Sequence, residues 1–542
     1  MLKQIFSKSI DNITLAAALV ATSSLLSRVL GVLRDRILAG AFGAGVALDN
    51  YYAAFRIPDL IFNLVVLGAL SAGFIPVFTN LIKKRKEQKG KNNEAWRLVN
   101  NLLNSLLILL TLLSVAGIIF SDNLTRLITP GFELEQQQEV AALTRIMFLS
   151  PIFLGLSGIM GGVLQSFKRF LVYSLTPIFY NLGIIIGALY FVNIWGLAGL
   201  AWGVVLGSFL HFVIQLPTVY NLGFRYRAII SWRDKSIRKI AVMMVPRTMS
   251  LAISQINLVV ITVIASSLES GSLTAFNFAN NLQAFPVGIF GISFAIAAFP
   301  VLAENANNYQ KLTSNFSKTM RRILFFVVPA TVLIVALRAQ IVRVVLGTGN
   351  FDWRSTFMTM DALGFFALSL FAQATIPLLT RMYYAKHNSK TPFYFGLISI
   401  AVNIVLSVYF GKSMGVAGLA LAFSIANIIN FILLWAWLYV KVGALDFSRI
   451  ILSFLKFSFA AVGAGLATQI SKFLVWPLID MTTFIGVFSQ LLFSSLVGLL
   501  VYLLFCYLLE SEELVHFITI LKKRWPFKKI KVGDQGEARG IS

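Results

Sequence analysis

Long apolar runs recur along the whole chain and limit its possible folds more than any other feature. Each run is close to the ~20 residues that an α-helix needs to cross the ~30 Å hydrocarbon core of a bilayer. Apolar residues make up 58% of the 542 residues and charged residues 13%, which is too apolar a balance for a soluble globule. We therefore predict an all-α polytopic membrane protein with about 14 transmembrane helices. The predicted spans are residues 12–38, 48–80, 97–120, 138–165, 170–192, 195–220, 240–267, 272–302, 320–346, 356–384, 391–410, 414–440, 450–472 and 483–509.

The positive charge of the chain is concentrated in alternate connections. The net charge of +24 would suggest nucleic acid as a partner in a soluble protein. Most Lys and Arg of the connections, however, follow even-numbered spans, as in residues 83–86, and more lie in the tail at 522–524. This asymmetry is typical of cytoplasmic loops. It predicts that both termini are cytoplasmic, with contacts to membrane lipids and no nucleic acid partner.

The middle of the chain resembles its later part at an offset of 219 residues. The segment Gly196-Leu-Ala-Gly-Leu-Ala201 matches Gly415-Val-Ala-Gly-Leu-Ala420 in position and composition. A repeat unit of six spans requires both copies to cross the membrane in the same direction, as in transporters whose two halves rock around a cavity. The predicted domains are an N-terminal lobe (1–222), a C-terminal lobe (223–445), a helical hairpin (446–510) and a basic cytoplasmic tail (511–542).

Residues suited to catalysis or metal binding are scarce. Cys506 is the only cysteine, and the three histidines lie far apart in sequence, so we predict no metal site, no cofactor and no enzymatic activity. The sequence has no phosphate-binding loop for ATP. Transport would then be driven by the membrane potential or an ion gradient.

Charged residues lie inside the first two predicted spans, where a charge costs at least ~2.5 kcal/mol at the bilayer centre. They are Arg28, Arg34, Asp35, Asp49 and Arg56. Arg28 and Arg34 are ~120° apart around a helix. We expect Arg28 to face an interior cavity, and Arg34 either to reach the membrane surface or to pair with Asp35.

Two further arginines lie beside prolines. Arg56 precedes Pro58, which removes a backbone donor, so Arg56 either satisfies freed carbonyl groups or faces the cavity. Arg247 follows Pro246 at the start of the seventh span and is predicted to line the same cavity. An arginine-rich interior favours a phosphate or diphosphate group over an organic cation.

The opening of the chain resembles the MurJ (MviN) family of lipid II flippases, in the multidrug/oligosaccharidyl-lipid/polysaccharide exporter superfamily. The matching segments are Ser27-Arg28-Val-Leu-Gly31-Val-Leu-Arg34-Asp35, Phe42-Gly43-Ala44-Gly45, Asp49 and Phe55-Arg56-Ile-Pro58. The resemblance implies that two lobes and a lipid-tail groove move undecaprenyl-diphosphate-linked peptidoglycan precursor (lipid II) to the outer leaflet of the bacterial cytoplasmic membrane. It also implies that Arg28, Arg34, Asp35, Asp49 and Arg56 form the substrate site, to which we add Arg247.

The chain departs from that family in its charged residues. Where many members carry paired arginines and an acid in the second helix, it has Phe62, Asn63 and Leu67, and where the eighth helix usually carries an arginine it has Asn281. Arg247 is a candidate replacement for that lost charge.

The sodium site known in part of the family also lacks its usual ligands. The eleventh and twelfth spans contain no acidic residue, which leaves only Asn257 and Asn403 as candidate ligands. The coupling ion is therefore left open.

Three alternatives to a lipid II flippase fit parts of the sequence. One is a flippase for another polyprenyl-linked oligosaccharide, and another is an exporter of organic cations, which would require more buried acids. The third is a transport-inactive scaffold that binds cell-wall synthesis proteins through loop 83–97 and tail 510–542.

Overall fold

The computed structural model describes residues 13–67, 73–87 and 94–524, and these contain helices but no strand. Its first half consists of eleven α-helices, with π-helical turns at Asn63–Leu67 and Gly187–Phe191. They are α1 (Ile13–Phe42), α2 (Val46–Phe62), α3 (Ile75–Glu87), α4 (Glu94–Ile119), α5 (Ser121–Ile128), α6 (Leu134–Met147), α7 (Ser150–Ser166), α8 (Phe170–Ile186), α9 (Val192–Trp195), α10 (Ala198–Val213) and α11 (Leu216–Asn221).

The second half begins with a 32-residue helix and contains one π-helical stretch, Val287–Ile292. Its α-helices are α12 (Lys235–Ser266), α13 (Ser272–Pro286), α14 (Ser293–Glu304), α15 (Tyr309–Leu346), α16 (Trp353–Ala367), α17 (Leu370–Ala385), α18 (Lys390–Val442), α19 (Phe447–Val475), α20 (Phe484–Leu508) and α21 (Glu512–Arg524).

The all-helical membrane fold is confirmed. In the described ranges, nine helical segments are long and apolar enough to cross a membrane, and some of them combine two consecutive helices, such as α6 with α7. A tenth span results if α16 and α17, which are bent by 48° relative to each other, are joined. One of the nine, α18, covers two predicted spans. The first, second and seventh predicted spans are not among the nine, and each of them contains residues or side chains outside the described part of the structure. The count of fourteen stays a prediction.

The backbone repeats the internal symmetry that the sequence predicts. Gly196 has φ 57° and ψ −141°, and Gly415, 219 residues later, has φ 60° and ψ −139°. A side chain is strongly disfavoured in this conformation. In both copies the glycine three residues further on lies so close to a phenylalanine carbonyl that a Cβ would overlap it. The two segments therefore turn the chain between consecutive helices in the same way.

Three clusters of buried apolar residues hold the helices together. One joins helices of the N-terminal lobe to Phe224 and Ile240 at the start of the C-terminal lobe, and another joins the helices α14–α18 with the hairpin of α19 and α20. The third contains residues of both lobes, including Leu48 of α2 and Leu273 of α13. The two lobes thus share a packed interface, although the exact domain boundaries stay predictions.

Polar contacts fix the hairpin and the last described helix against α15. Gln340 Nε2 donates to Gln490 Oε1 of α20 at 2.9 Å, and Lys472 Nζ donates to the Ala336 carbonyl at 3.0 Å. At the opposite end Arg321 of α15 pairs with Glu513 of α21. The hairpin is therefore attached to one end of α15, and α21 is attached to the other.

Candidate functional site

The Arg34 guanidinium group is the centre of a polar network between the lobes. Its Nη2 lies 2.8 Å from Asp35 Oδ1, and its Nη1 donates to Asn181 Oδ1 of α8 at 3.1 Å. The other carboxylate oxygen of Asp35 accepts a hydrogen bond from Asn281 Nδ2 of α13 at 2.8 Å. Asp35 therefore links a cation of the N-terminal lobe to an amide of the C-terminal lobe. Of the two predicted alternatives for Arg34, pairing with Asp35 is the one observed.

Arg28 lies nearly two helical turns earlier on α1 and is exposed. Its Nη1 is 3.4 Å from the Ala284 carbonyl of α13, and its guanidinium group packs so closely against Gly288 that a Cβ there would overlap it. The weak carbonyl contact leaves most of its five N–H donors for other acceptors. Arg28 is thus an exposed cation at the lobe interface, and its predicted contact with substrate stays a prediction.

Arg56 has two side-chain partners in the other lobe. Its Nε donates to Thr262 Oγ1 of α12 at 2.9 Å, and its Nη2 donates to Asn277 Oδ1 of α13 at 2.9 Å. Neither of the partners carries a charge. Both bonds cross from one lobe to the other, so Arg56 contributes to the interface whether or not it also contacts a ligand.

Asp49 stabilises the start of α13. Its carboxylate is 2% exposed and accepts hydrogen bonds from the backbone N–H of Gly271 at 2.6 Å, from that of Thr274 at 2.8 Å and from the Thr274 hydroxyl at 2.6 Å. The first N–H groups of a helix lack intrahelical partners and carry partial positive charge, which favours an anion there. The structure thus shows Asp49 as an interlobe cap, and its predicted contact with substrate stays a prediction.

Arg247 lies on α12, but its side chain is outside the described part of the structure. The hypothesis that it replaces the charge missing at Asn281 therefore stays a prediction. Asn281 itself has a defined role, since it binds Asp35.

Sequence reasoning missed the neutral partners of these charges, namely Asn181, Thr262 and Asn277. Amides and hydroxyls are common in membrane helices as interhelical hydrogen-bonding groups. The only available signal was their position in otherwise apolar spans, which does not reveal the partner. Asn257 and Asn403, the candidate sodium ligands, bond to each other at 2.8 Å. Among the described residues, no group of three or more His, Cys, Asp or Glu side chains could hold a metal ion.

Further contacts close the lobes together at the end predicted to face outside. The backbone N–H of Asn350 donates to the Gly40 carbonyl at 2.9 Å, and that of Ala44 donates to Ser355 Oγ at 3.1 Å. Arg36 of α1 donates to the Val344 carbonyl in the last turn of α15 at 2.5 Å. Together with the Asp49 cap, these bonds form what we call the outer contact.

Sequence comparison agrees with this architecture over most of the chain. The family model of lipid II flippase MurJ matches residues 38–506. The chain belongs to the MurJ family. A probable lipid II flippase MurJ of Vibrio cholerae is 30% identical over 505 residues, covering 89% of this chain and 93% of the relative. Its counterpart in Thermotoga maritima is 29% identical over 495 residues, with coverages of 91% and 95%.

Solved structures agree with the MurJ assignment. A lipid II flippase MurJ in an inward closed conformation is 25% identical, with a TM-score of 0.75, and the match covers 93% of this chain and all of that one. An inward-facing multidrug resistance transporter of the MATE family shares the fold, with 16% identity and a TM-score of 0.65 over 78% of this chain and 96% of that one. The MurJ family consists of transporters, so the prediction of a transporter rather than an enzyme is confirmed by family membership.

Proposed function

We propose that this chain flips lipid II from the inner to the outer leaflet of the bacterial cytoplasmic membrane by alternating access. Membership in the MurJ family supports the substrate. The observation that carries the mechanism is the exposed Arg28 at the interface of two lobes, beside a charge network that contacts both. A diphosphate needs such a cation within the membrane, because burying its charge unpaired would be prohibitive.

In this proposal Arg28 binds the diphosphate, since its forked guanidinium group matches two phosphate oxygens. Arg34, Asp35 and Asn281 position the helices on either side of it. Arg56 and Asp49 act on the conformational equilibrium, because their bonds cross between the lobes and break when the lobes separate. Opening to the outside would require the outer contact to be lost and contacts at the other end to form.

The membrane potential is the simplest energy source for this movement. An interior-negative potential favours outward transfer of an anion by ~2.3 kcal/mol per charge for each 100 mV. An ion gradient is the alternative. Collapsing the potential at constant sodium should slow flipping in the first case, whereas replacing sodium by potassium at constant potential should slow it in the second.

Orientation and partners are also part of the proposal. The distribution of Lys and Arg supports cytoplasmic termini, which place the outer contact on the outer side of the membrane. Cell-wall synthesis proteins are proposed to contact the basic loop 83–97 and the tail 510–542, each of which contains seven Lys and Arg residues.

Complementation tests the function. A bacterium depleted of its own lipid II flippase would express this chain, its Arg28→Ala variant or a control, Arg145→Ala, and survival and surface-exposed lipid II would be measured. Arg145 pairs with Asp122 in a contact that is about half exposed within one lobe, and such surface pairs contribute little.

We expect the parent and Arg145→Ala to rescue growth. Arg28→Ala removes the charged hydrogen bonds to the diphosphate and should lower the rate of flipping about 10- to 100-fold. A well-inserted parent that fails to rescue would overturn lipid II as the substrate. Full activity of Arg28→Ala would remove Arg28 from the mechanism.

A further inference from the structure

A cavity of about 900 Å³ lies inside the C-terminal lobe, apart from the interlobe charge network. It is bounded by α12, α13, α17 and both halves of α18. Its volume is at the upper end of the range of ~300–1,000 Å³ that is typical of sites for small organic ligands. The cavity is therefore large enough for a part of a substrate.

The described residues that line the cavity combine apolar and polar side chains and carry almost no charge. Lys390 is its only charged residue, and no carboxylate is present among the described residues that line it. Five amides and five aromatic rings are among the lining residues. The amides are Asn257, Asn280, Asn403, Asn427 and Asn430, and the rings are Phe276, Tyr384, Phe393, Tyr394 and Phe423. Amides exchange hydrogen bonds with hydroxyl and amide groups, while rings cover apolar faces.

Two of these amides present acceptors that the protein does not fully use. Asn430 Oδ1 is buried and has no hydrogen-bond partner. Asn427 donates its Nδ2 to the Phe423 carbonyl of its own helix at 2.9 Å, which leaves Oδ1 with its lone pairs. An unpaired buried acceptor is costly. Rotation of the Asn430 amide toward the cavity would let an O–H or N–H group of a ligand pair with this oxygen and remove that cost.

The cavity adjoins the position at which Arg28 meets α13. Asn280, in the lining, is four residues before Ala284, whose carbonyl is the contact of Arg28. Residues four apart lie on the same face of a helix, separated by ~6 Å along its axis. A molecule bound to Arg28 through a diphosphate could therefore extend its next chemical group into the amide-lined cavity.

We propose that this cavity binds the saccharide of the lipid-linked substrate through neutral hydrogen bonds, with Asn427 and Asn430 as acceptors. The inference rests on the proposed function, because the saccharide is the group attached to the diphosphate. It divides the headgroup between two regions: Arg28 takes the charge at the lobe interface, and the C-terminal lobe takes the sugar. The cavity would then be the part of the site that distinguishes one glycan from another.

The affinities for a lipid with the saccharide and for one without it test whether the headgroup is divided between Arg28 and the cavity. The purified full chain in nanodiscs would be titrated with lipid II and, separately, with undecaprenyl diphosphate, which has no sugar, and bound lipid would be counted by native mass spectrometry. The variants are Asn430→Leu and Asn427→Leu, which retain similar volume. The matched control is Asn193→Leu, because Asn193 also donates Nδ2 to the carbonyl four residues earlier, at 3.0 Å, but lies in the other lobe.

We expect each cavity variant to lower the affinity for lipid II about fivefold, the effect of one lost hydrogen bond, and to leave that for undecaprenyl diphosphate unchanged. Arg28→Ala should weaken both lipids. Equal weakening of both lipids by Asn430→Leu, or no weakening, would overturn the inference while the proposed function stands. Unchanged lipid affinities with a sodium-dependent stabilisation that Asn430→Leu abolishes would instead assign the cavity to a cation. A parent that binds neither lipid would refute the proposed function itself.

Discussion

Replacing Asp49 by asparagine removes one negative charge from the outer contact while preserving shape. The carboxylate accepts three hydrogen bonds at the first turn of α13. In the variant one carboxylate oxygen becomes an NH₂ group, which faces N–H donors and cannot accept from them. Lost charge-assisted hydrogen bonds and the lost attraction to the helix terminus together weaken the contact by about 2–4 kcal/mol.

That weakening should shift the conformational equilibrium toward the state that is open at the predicted outer end. A change of about 2–4 kcal/mol corresponds to a shift of roughly 30- to 700-fold in the population ratio. The assay is labelling by a membrane-impermeant maleimide in intact cells, with Ser272→Cys as reporter. Ser272 is 1% exposed and lies beside the cap. Cys506 is replaced by serine in the reporter background.

Two controls separate opening from unfolding. Asp122→Asn removes an outer aspartate that is 52% exposed and paired within its own lobe, so labelling at position 272 should not change. In a protein that keeps Cys506 as its single thiol, labelled after solubilisation in detergent, Asp49→Asn should leave that residue unlabelled, because Cys506 is 1% exposed in the C-terminal cluster. Equal labelling of the reporter with and without Asp49→Asn would refute the role of Asp49 in stabilising the outer contact.

Three other perturbations have defined outcomes. Gly415→Ala should lower the free energy of unfolding by about 1–3 kcal/mol, because alanine is strained at φ 60°, measured by thermal unfolding in detergent. Asn281→Leu leaves one oxygen of Asp35 without its donor and should reduce flipping more than it reduces thermal stability. Hydrogen bonding from Arg449 lowers the pKa of Glu512 below its ordinary value of 4.5, so the contact between α21 and α19 should persist at neutral pH. It should be lost as the pH falls through that lowered pKa, measured as a longer distance between spin labels on the two helices.

Each of these three perturbations has a control. Gly396→Ala lies in the same helix as Gly415 but has an ordinary backbone and open space, so it should not destabilise. Asn193→Leu should leave flipping unchanged, and a loss equal to that of Asn281→Leu would indicate a general effect of removing amides. Glu512→Gln should lengthen the spin-label distance already at neutral pH, and a distance in the parent that does not depend on pH would contradict the role of the carboxylate.

The limits of sequence reasoning are clearest at the first two helices. Arg28, Arg34, Asp35, Asp49 and Arg56 were found because charges inside apolar spans are rare and costly. The rarity of a charge does not reveal its role. Whether a charge faces a cavity or completes a contact depends on partners such as Thr274, which is 225 residues from Asp49 along the chain.

The sequence by itself determined the helical membrane class, the charged residues within its first two spans and the duplicated glycine-containing segments, because hydrophobic length and residue identity are local properties of the chain. Tertiary structure alone decided that Asp49 caps α13, that Asn281 binds Asp35 and that an amide-lined cavity opens inside the C-terminal lobe. Hydrogen bonds between distant segments and the empty volume between helices arise from packing, and no local pattern of residues specifies them.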